Sequence, residues 1–130
     1  MHSRLISCLG LLSILAAPVA LAEDNSATYT HCMDEASSTL AMTGCIQAET
    51  KLQDQRLNKV YKALMARLDK APAQKLREVQ RSWITYRDGN CAFHGQATGG
   101  SIDQVNGAMC VLDETRERAT ELERVLNPEG

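Results

Sequence analysis

The chain has 130 residues, 14 Lys and Arg against 16 Asp and Glu for a net charge of −2, and only one Trp, one Phe and three Tyr. That length supports a single domain, and the mildly acidic balance lacks the basic surface through which proteins hold nucleic acid. A small core with so few rings gains from covalent staples, which form in an oxidising compartment.

At the N-terminus, Met1 to Arg4 supplies one basic residue, Leu5 to Val19 is almost wholly apolar, and Ala20-Leu21-Ala22 places small residues where signal peptidase reads. This pattern predicts a cleavable signal peptide over 1–22 and one mature domain over 23–130, periplasmic or secreted. The apolar run is too short, and ends too abruptly at Glu23-Asp24-Asn25, to span a bilayer. No membrane attachment is therefore expected after cleavage. Cys8 precedes most of the apolar run, whereas a lipobox cysteine follows it, so Cys8 leaves with the leader.

The rest of the chain reads as all-α, a small domain of about three helices. Ser37-Ser38 offers a cap for a long helix reaching toward Asp69, with Met42, Cys45, Ile46, Leu52, Leu57, Val60, Tyr61, Leu64 and Leu68 on its apolar side. Steps of three and four between these positions are those of an amphipathic helix, and Gly44 marks a bend or break near its start. Pro72 suits the first turn of a second helix, in which Leu76, Val79, Trp83, Tyr86 and Asn90 keep the helical spacing. His94 to Gly100 is a polar, glycine-containing loop. Ser101 and Gln104 form a capping box for a third helix, which carries Ile102, Val105, Met109, Leu112, Ala119, Leu122 and Leu126 and stops at Pro128. No stretch shows the two-residue alternation of a strand.

Four mature cysteines, Cys32, Cys45, Cys91 and Cys110, allow three pairings, and the sequence leaves all three open. Cys32–Cys45 with Cys91–Cys110 is the expected scheme, because each bond closes one local connection. Loops of that size are worth about 3 kcal/mol each through the unfolded state. A zinc site through His31, Cys32, Cys91 and His94 is the competing reading. An even number of cysteines in an exported chain favours disulfides, and no metal or other cofactor is expected. Oxidation would also remove the thiolate that a Cys91–His94 nucleophile needs.

Trp83 and Tyr86 lie three apart on one helix face, an arrangement that suits core packing more often than sugar stacking. Arg87, four residues from Trp83, is expected to lay its stem along that face and pair with a carboxylate, Asp54 being the candidate. Asp34, Glu35, Glu114, Glu117, Glu121 and Glu123 read as solvated or capping charges, not a catalytic pair. With no phosphate cradle and no Ser-His-Asp set in the sequence, no enzyme is expected.

Taken in order, several phrases carry a resemblance: Cys32-x12-Cys45, Glu49, Asp54-x-x-Leu57-Asn58-x-x-Tyr61-x-x-Leu64, then Leu76, Gln80-Arg81-x-Trp83-x-x-Tyr86-Arg87-x3-Cys91, and Gly100-Ser101, Cys110, Thr115-x-x-Arg118-x-x-x-Leu122. Together they resemble the LprI-type lysozyme inhibitor domain over nearly the whole mature chain. The resemblance implies a small helical exported protein with lysozyme as its partner. It carries over no catalytic residue. Asp54, Asn58, Trp83, Tyr86 and Arg87 read as structural framework. The best candidate for lysozyme contact is the loop over 94–103, with His94, Gln96, Thr98, Ser101 and Asp103 as its hydrogen-bonding residues, clamped by Cys91–Cys110. Two readings of another class stand beside this one: a module that binds another envelope protein, and a binder of peptidoglycan fragments through Trp83 or Tyr86.

Overall fold

The computed structural model of the protein describes residues 25–129, so the expected signal peptide lies outside the described residues. Four helices follow one another: α1 (Ala27–Glu35), α2 (Thr39–Arg67), α3 (Lys70–His94) and α4 (Ile102–Leu126). No strand occurs among the described residues. The all-α expectation holds, with one helix more than the three expected.

The additional helix is α1. It spans nine residues and buries none of them fully. Its inward side consists of Tyr29 and Met33, one turn apart, packed against Ile46, Val105 and Leu112. The Ser26 hydroxyl caps it by accepting from the Tyr29 amide at 3.1 Å. Helix α2 begins as expected, with the Ser38 hydroxyl accepting from the Ala41 amide at 3.1 Å, and it passes through Gly44 without a break. Helix α3 starts after Asp69 and carries Pro72 in its first turn, where a missing N–H costs nothing.

The core forms where α2 packs along α4. Contacts from Ile46 to Val105 at one end, and from Leu64 to Leu122 at the other, make the two helices parallel. Helix α3 runs antiparallel to both and leans on α4, with Cys91 beside Cys110 and Gln80 beside Arg118. Two apolar clusters result. Ile46, Val105 and Leu112 gather beneath α1; Leu57, Val60, Leu64, Ala119 and Leu122 gather at the far end, where Trp83, Leu76 and Leu126 close over them.

Between these clusters the seam is polar. Glu49 is only 1% exposed. Its carboxylate accepts from the Ser26 amide at 3.1 Å, from the Ser26 hydroxyl, and from the Gln53 side-chain amide at 2.9 Å. Gln53 in turn accepts from Arg56 at 3.0 Å, and Arg56 donates to Glu123 through Nε at 2.7 Å and to Thr120 at 3.0 Å. No buried side-chain nitrogen or oxygen among the described residues lacks a partner, as a stable core requires.

Burial pushes the Glu49 carboxyl pKa upward, but hydrogen bonds from Ser26 and Gln53 and the charge of Arg116 outweigh it and hold the value below the ordinary 4.5. A depressed folded value means that the stabilisation is full above about pH 4.5 and is lost as pH falls through the folded value. Glu49→Ala strands the donors of Ser26 and Gln53, and should cost about 1–3 kcal/mol at pH 7. Thermal unfolding followed from pH 7 to 3 should show the wild type losing stability more steeply than Glu49→Gln. Parallel curves would remove Glu49 from the acid response.

Candidate functional site

The loop between α3 and α4 is fastened at its base. Cys91 and Cys110 are joined there, with Cα atoms 5.3 Å apart, and the other bond joins Cys32 to Cys45, so the expected pairing is the one present. Above the second disulfide the helices almost touch. A methyl group on Gly107 would lie 2.9 Å from the Gly95 Cα, closer than real contacts allow. The Gly95 amide closes α3 by donating to the Cys91 carbonyl at 2.9 Å.

The loop itself is organised by Asp103. Its carboxylate accepts from the Thr98 hydroxyl at 2.8 Å and from the backbone amides of Thr98 and Gly99, the latter at 2.7 Å. The Thr98 hydroxyl also accepts from the Gly100 amide at 3.2 Å. Gly99 has φ +76°, a conformation that a side chain disfavours. Burial pushes the Asp103 carboxyl pKa upward, yet the Thr98 and Gly99 hydrogen bonds prevail and hold it below the ordinary carboxylate range. The capping box expected at Ser101 does not form. Ser101 is helical in its backbone and makes no side-chain cap bond, because Asp103 reaches back to the loop amides instead.

This geometry divides the loop residues expected to contact a partner. Asp103, 4% exposed, is spent inside the loop, and the Thr98 hydroxyl is engaged with it. His94, Gln96 and Ser101 are exposed, with His94 lying edge-on to Phe93. The framework residues divide as well. Trp83 is half-buried against the far cluster, beneath the guanidiniums of Arg87 at 5.0 Å and Arg118 at 5.9 Å. Arg118 is fixed by Gln80 at 3.0 Å and Glu121 at 2.6 Å. Arg87 pairs with its neighbour Asp88 and not with Asp54, because α3 packs on α4 and leaves the outer face of α2 to solvent. There Asp54 accepts from Asn58 at 3.0 Å, both residues exposed. Tyr86 is 58% exposed and stands outside the core.

Sequence reasoning missed the polar waist, although one signal was available. Glu49 and Gln53 fall on the stripe that runs through Ile46, Leu57, Val60 and Leu64, and a polar residue on such a stripe calls for a buried partner. Among the described residues no group of three or more His, Cys, Asp and Glu is placed to hold a metal. Cys32 and Cys91 are engaged in disulfides, while His31 lies against Glu35 on the exposed side of α1.

Gly107→Ala should destabilise the protein by about 1–3 kcal/mol, since the methyl meets backbone that cannot yield. Asp103→Ala should lower the melting temperature and speed amide exchange at Thr98 and Gly99. Unchanged exchange there would mean that the carboxylate does not hold the loop.

No helix among the described residues is long and apolar enough to cross a membrane. No solved structure matches the chain. An uncharacterized protein from Rhizobium meliloti (strain 1021), R02472, is 31% identical over 106 residues, covering 71% of this chain and 76% of that protein. A family model described as lysozyme inhibitor LprI matches residues 32–122, a span that starts at the first disulfide cysteine and ends in the far cluster of the core. The chain belongs to the LprI lysozyme inhibitor family.

Proposed function

We propose that this protein is exported to the periplasm or beyond and inhibits a lysozyme by binding it, without chemistry of its own. The family match over residues 32–122 carries the reading. Two further features support it. Both disulfides belong to an oxidising compartment, in keeping with removal of the leader over 1–22. The 95–101 loop is tied by Cys91–Cys110 and by Asp103, and a segment already ordered loses little entropy when it enters a cleft. In this reading His94, Gln96 and Ser101 offer hydrogen bonds to the enzyme, while Thr98 and Asp103 shape the loop that carries them. Sugar stacking on Trp83 is the weaker alternative, since two guanidiniums already lie over its ring.

Lysis of a cell-wall suspension by an animal-type lysozyme should slow in proportion to the oxidised protein added, and recover once the protein is reduced. Gln96→Ala with Ser101→Ala should weaken inhibition about fivefold or more and leave the melting temperature unchanged. Full lysis at large molar excess of the wild type would exclude that class of enzyme as the target. Trp fluorescence should stay constant on titration with chitooligosaccharides; a saturable change would move the assignment to glycan binding.

A further inference from the structure

Helix α3 presents an apolar stripe that the other described residues leave exposed. Val79, Tyr86 and Phe93 are 42%, 58% and 61% exposed. Seven residues separate each from the next, so they line one side of the helix over four turns. Each is a helical neighbour of a residue that faces α4: Val79 of Trp83, Tyr86 of Asn90, and Phe93 of Asn90, and the Phe93 ring also meets His94 edge-on. Trp83, Asn90 and His94 form one wall of a groove between the two helices. The opposite wall carries both signs beside Trp83, where Glu114, Glu117 and Glu121 alternate with Arg116, Arg118 and Arg124 around a hollow of about 470 Å³. Glu114 and Glu117 also line the part beside Asn90 and His94, about 360 Å³, so the two parts adjoin along α4.

The excess of carboxylate lies in the part beside Asn90 and His94, whose lining includes Asp113, Glu114 and Glu117 but neither Lys nor Arg. Arg118 is taken up by Glu121, and Arg116 by Asp113 and Asn25. Among the described residues Glu114 receives only the Asn90 amide, at 3.5 Å, and no cation forms an ion pair with Glu114 or with the exposed Glu117. An apolar rim with two unneutralised carboxylates beside it is complementary to a protein surface that presents Lys or Arg among aliphatic side chains. The same carboxylates would repel phosphate.

We infer that the α3–α4 groove, rimmed by Val79, Tyr86 and Phe93 and walled by Glu114 and Glu117, is the docking surface for a cationic protein. The inference rests on the lysozyme reading and deepens it. Lysozymes of the animal type are cationic, and the groove opens beside the 95–101 loop at His94. Tyr86 acts as the anchor, as exposed tyrosines do at the centre of interfaces. Glu114 and Glu117 steer the partner and fix its register, an effect that weakens as salt rises.

The test measures binding of the oxidised protein to two separate probes, an animal-type lysozyme and a lysine-rich amphipathic helical peptide, by titration calorimetry. Wild type is compared with Tyr86→Ala/Glu117→Lys and with Lys62→Ala on the exposed face of α2. Both altered groove positions are exposed, so the double variant should keep the wild-type melting temperature. The expected result is that wild type and Lys62→Ala bind both probes alike, that the double variant loses about tenfold or more in affinity, and that wild-type affinity falls between about 50 and 300 mM salt. Lysozyme bound equally by the double variant overturns the groove and leaves the inhibitor reading intact. Peptide captured through the groove while lysozyme is ignored upholds the groove and removes the lysozyme reading. Failure to bind either probe overturns the groove, as does a dimer of the protein alone that the double variant dissolves.

Discussion

The polar waist between α2 and α4 is the constraint on which the rest of the molecule depends. Apolar side chains on both sides of it would pack in several registers, because leucine and valine discriminate poorly between neighbours one turn apart. Glu49, Gln53 and Arg56 do not tolerate that freedom. Moving α2 by one turn, about 5.4 Å, would draw the Glu49 carboxylate away from Ser26 and the Arg116 charge, and Arg56 away from Glu123 and Thr120. A buried charge stripped of its partners costs more than the intact arrangement gains. We therefore read the waist chiefly as a device that selects register, with the two apolar clusters supplying most of the stabilisation. Helix α1 is fitted to the same device, since Ser26 caps α1 and donates to Glu49 with its amide and hydroxyl.

The two disulfides work on different parts of this frame. Cys32–Cys45 retains a helix of nine residues that buries too little surface to stay docked alone. Cys91–Cys110 acts at the close Gly95–Gly107 contact between α3 and α4, where no side chain fits between the two helices. Covalent closure thus holds α3 to α4 at the loop end, while Val105 and Leu112 pack on the side of α4 that faces Ile46. Helix α3 consequently rests on α4 along one side and leaves its flank open, and the groove follows from that placement.

Periodicity made α2, α3 and α4 legible, because an apolar stripe of 25 residues or more leaves little ambiguity about a helix. It did not reveal α1, whose inward side is only Tyr29 and Met33. The disulfide scheme was readable because each pair closes one turn of the chain. What periodicity does not encode is which helix a stripe meets. Asp54 and Arg87 have complementary charges, but α3 settled on α4 and Arg87 found Asp88. Tyr86 fits the helical spacing as well as Trp83 does, yet only Trp83 turns toward the far cluster. Ser101 and Gln104 match a capping pattern, and Asp103 prevailed because a carboxylate two residues into the helix reaches two loop amides and a hydroxyl together. In each case the local signal was correct in kind, and tertiary competition decided the partner.

Net charge is a poor guide to what such a molecule attracts. A total of −2 spread over 130 residues predicts almost no long-range field, and on that figure a cationic partner has no reason to approach. The distribution alters the argument. Arg116 and Arg118 are taken up by neighbours on α4 and Arg124 lies toward its far end, so the wall beside Asn90 and His94 is left with carboxylates and no lining cation among the described residues. Their effect is short-ranged, within the roughly 8 Å over which charges act at physiological salt, and it is exerted beside apolar surface that water would otherwise cover. Affinity from such a surface comes from the apolar rim, and orientation comes from the charges. Rigidity joins the two, because a loop and a helix fixed by one disulfide present both without first having to be ordered.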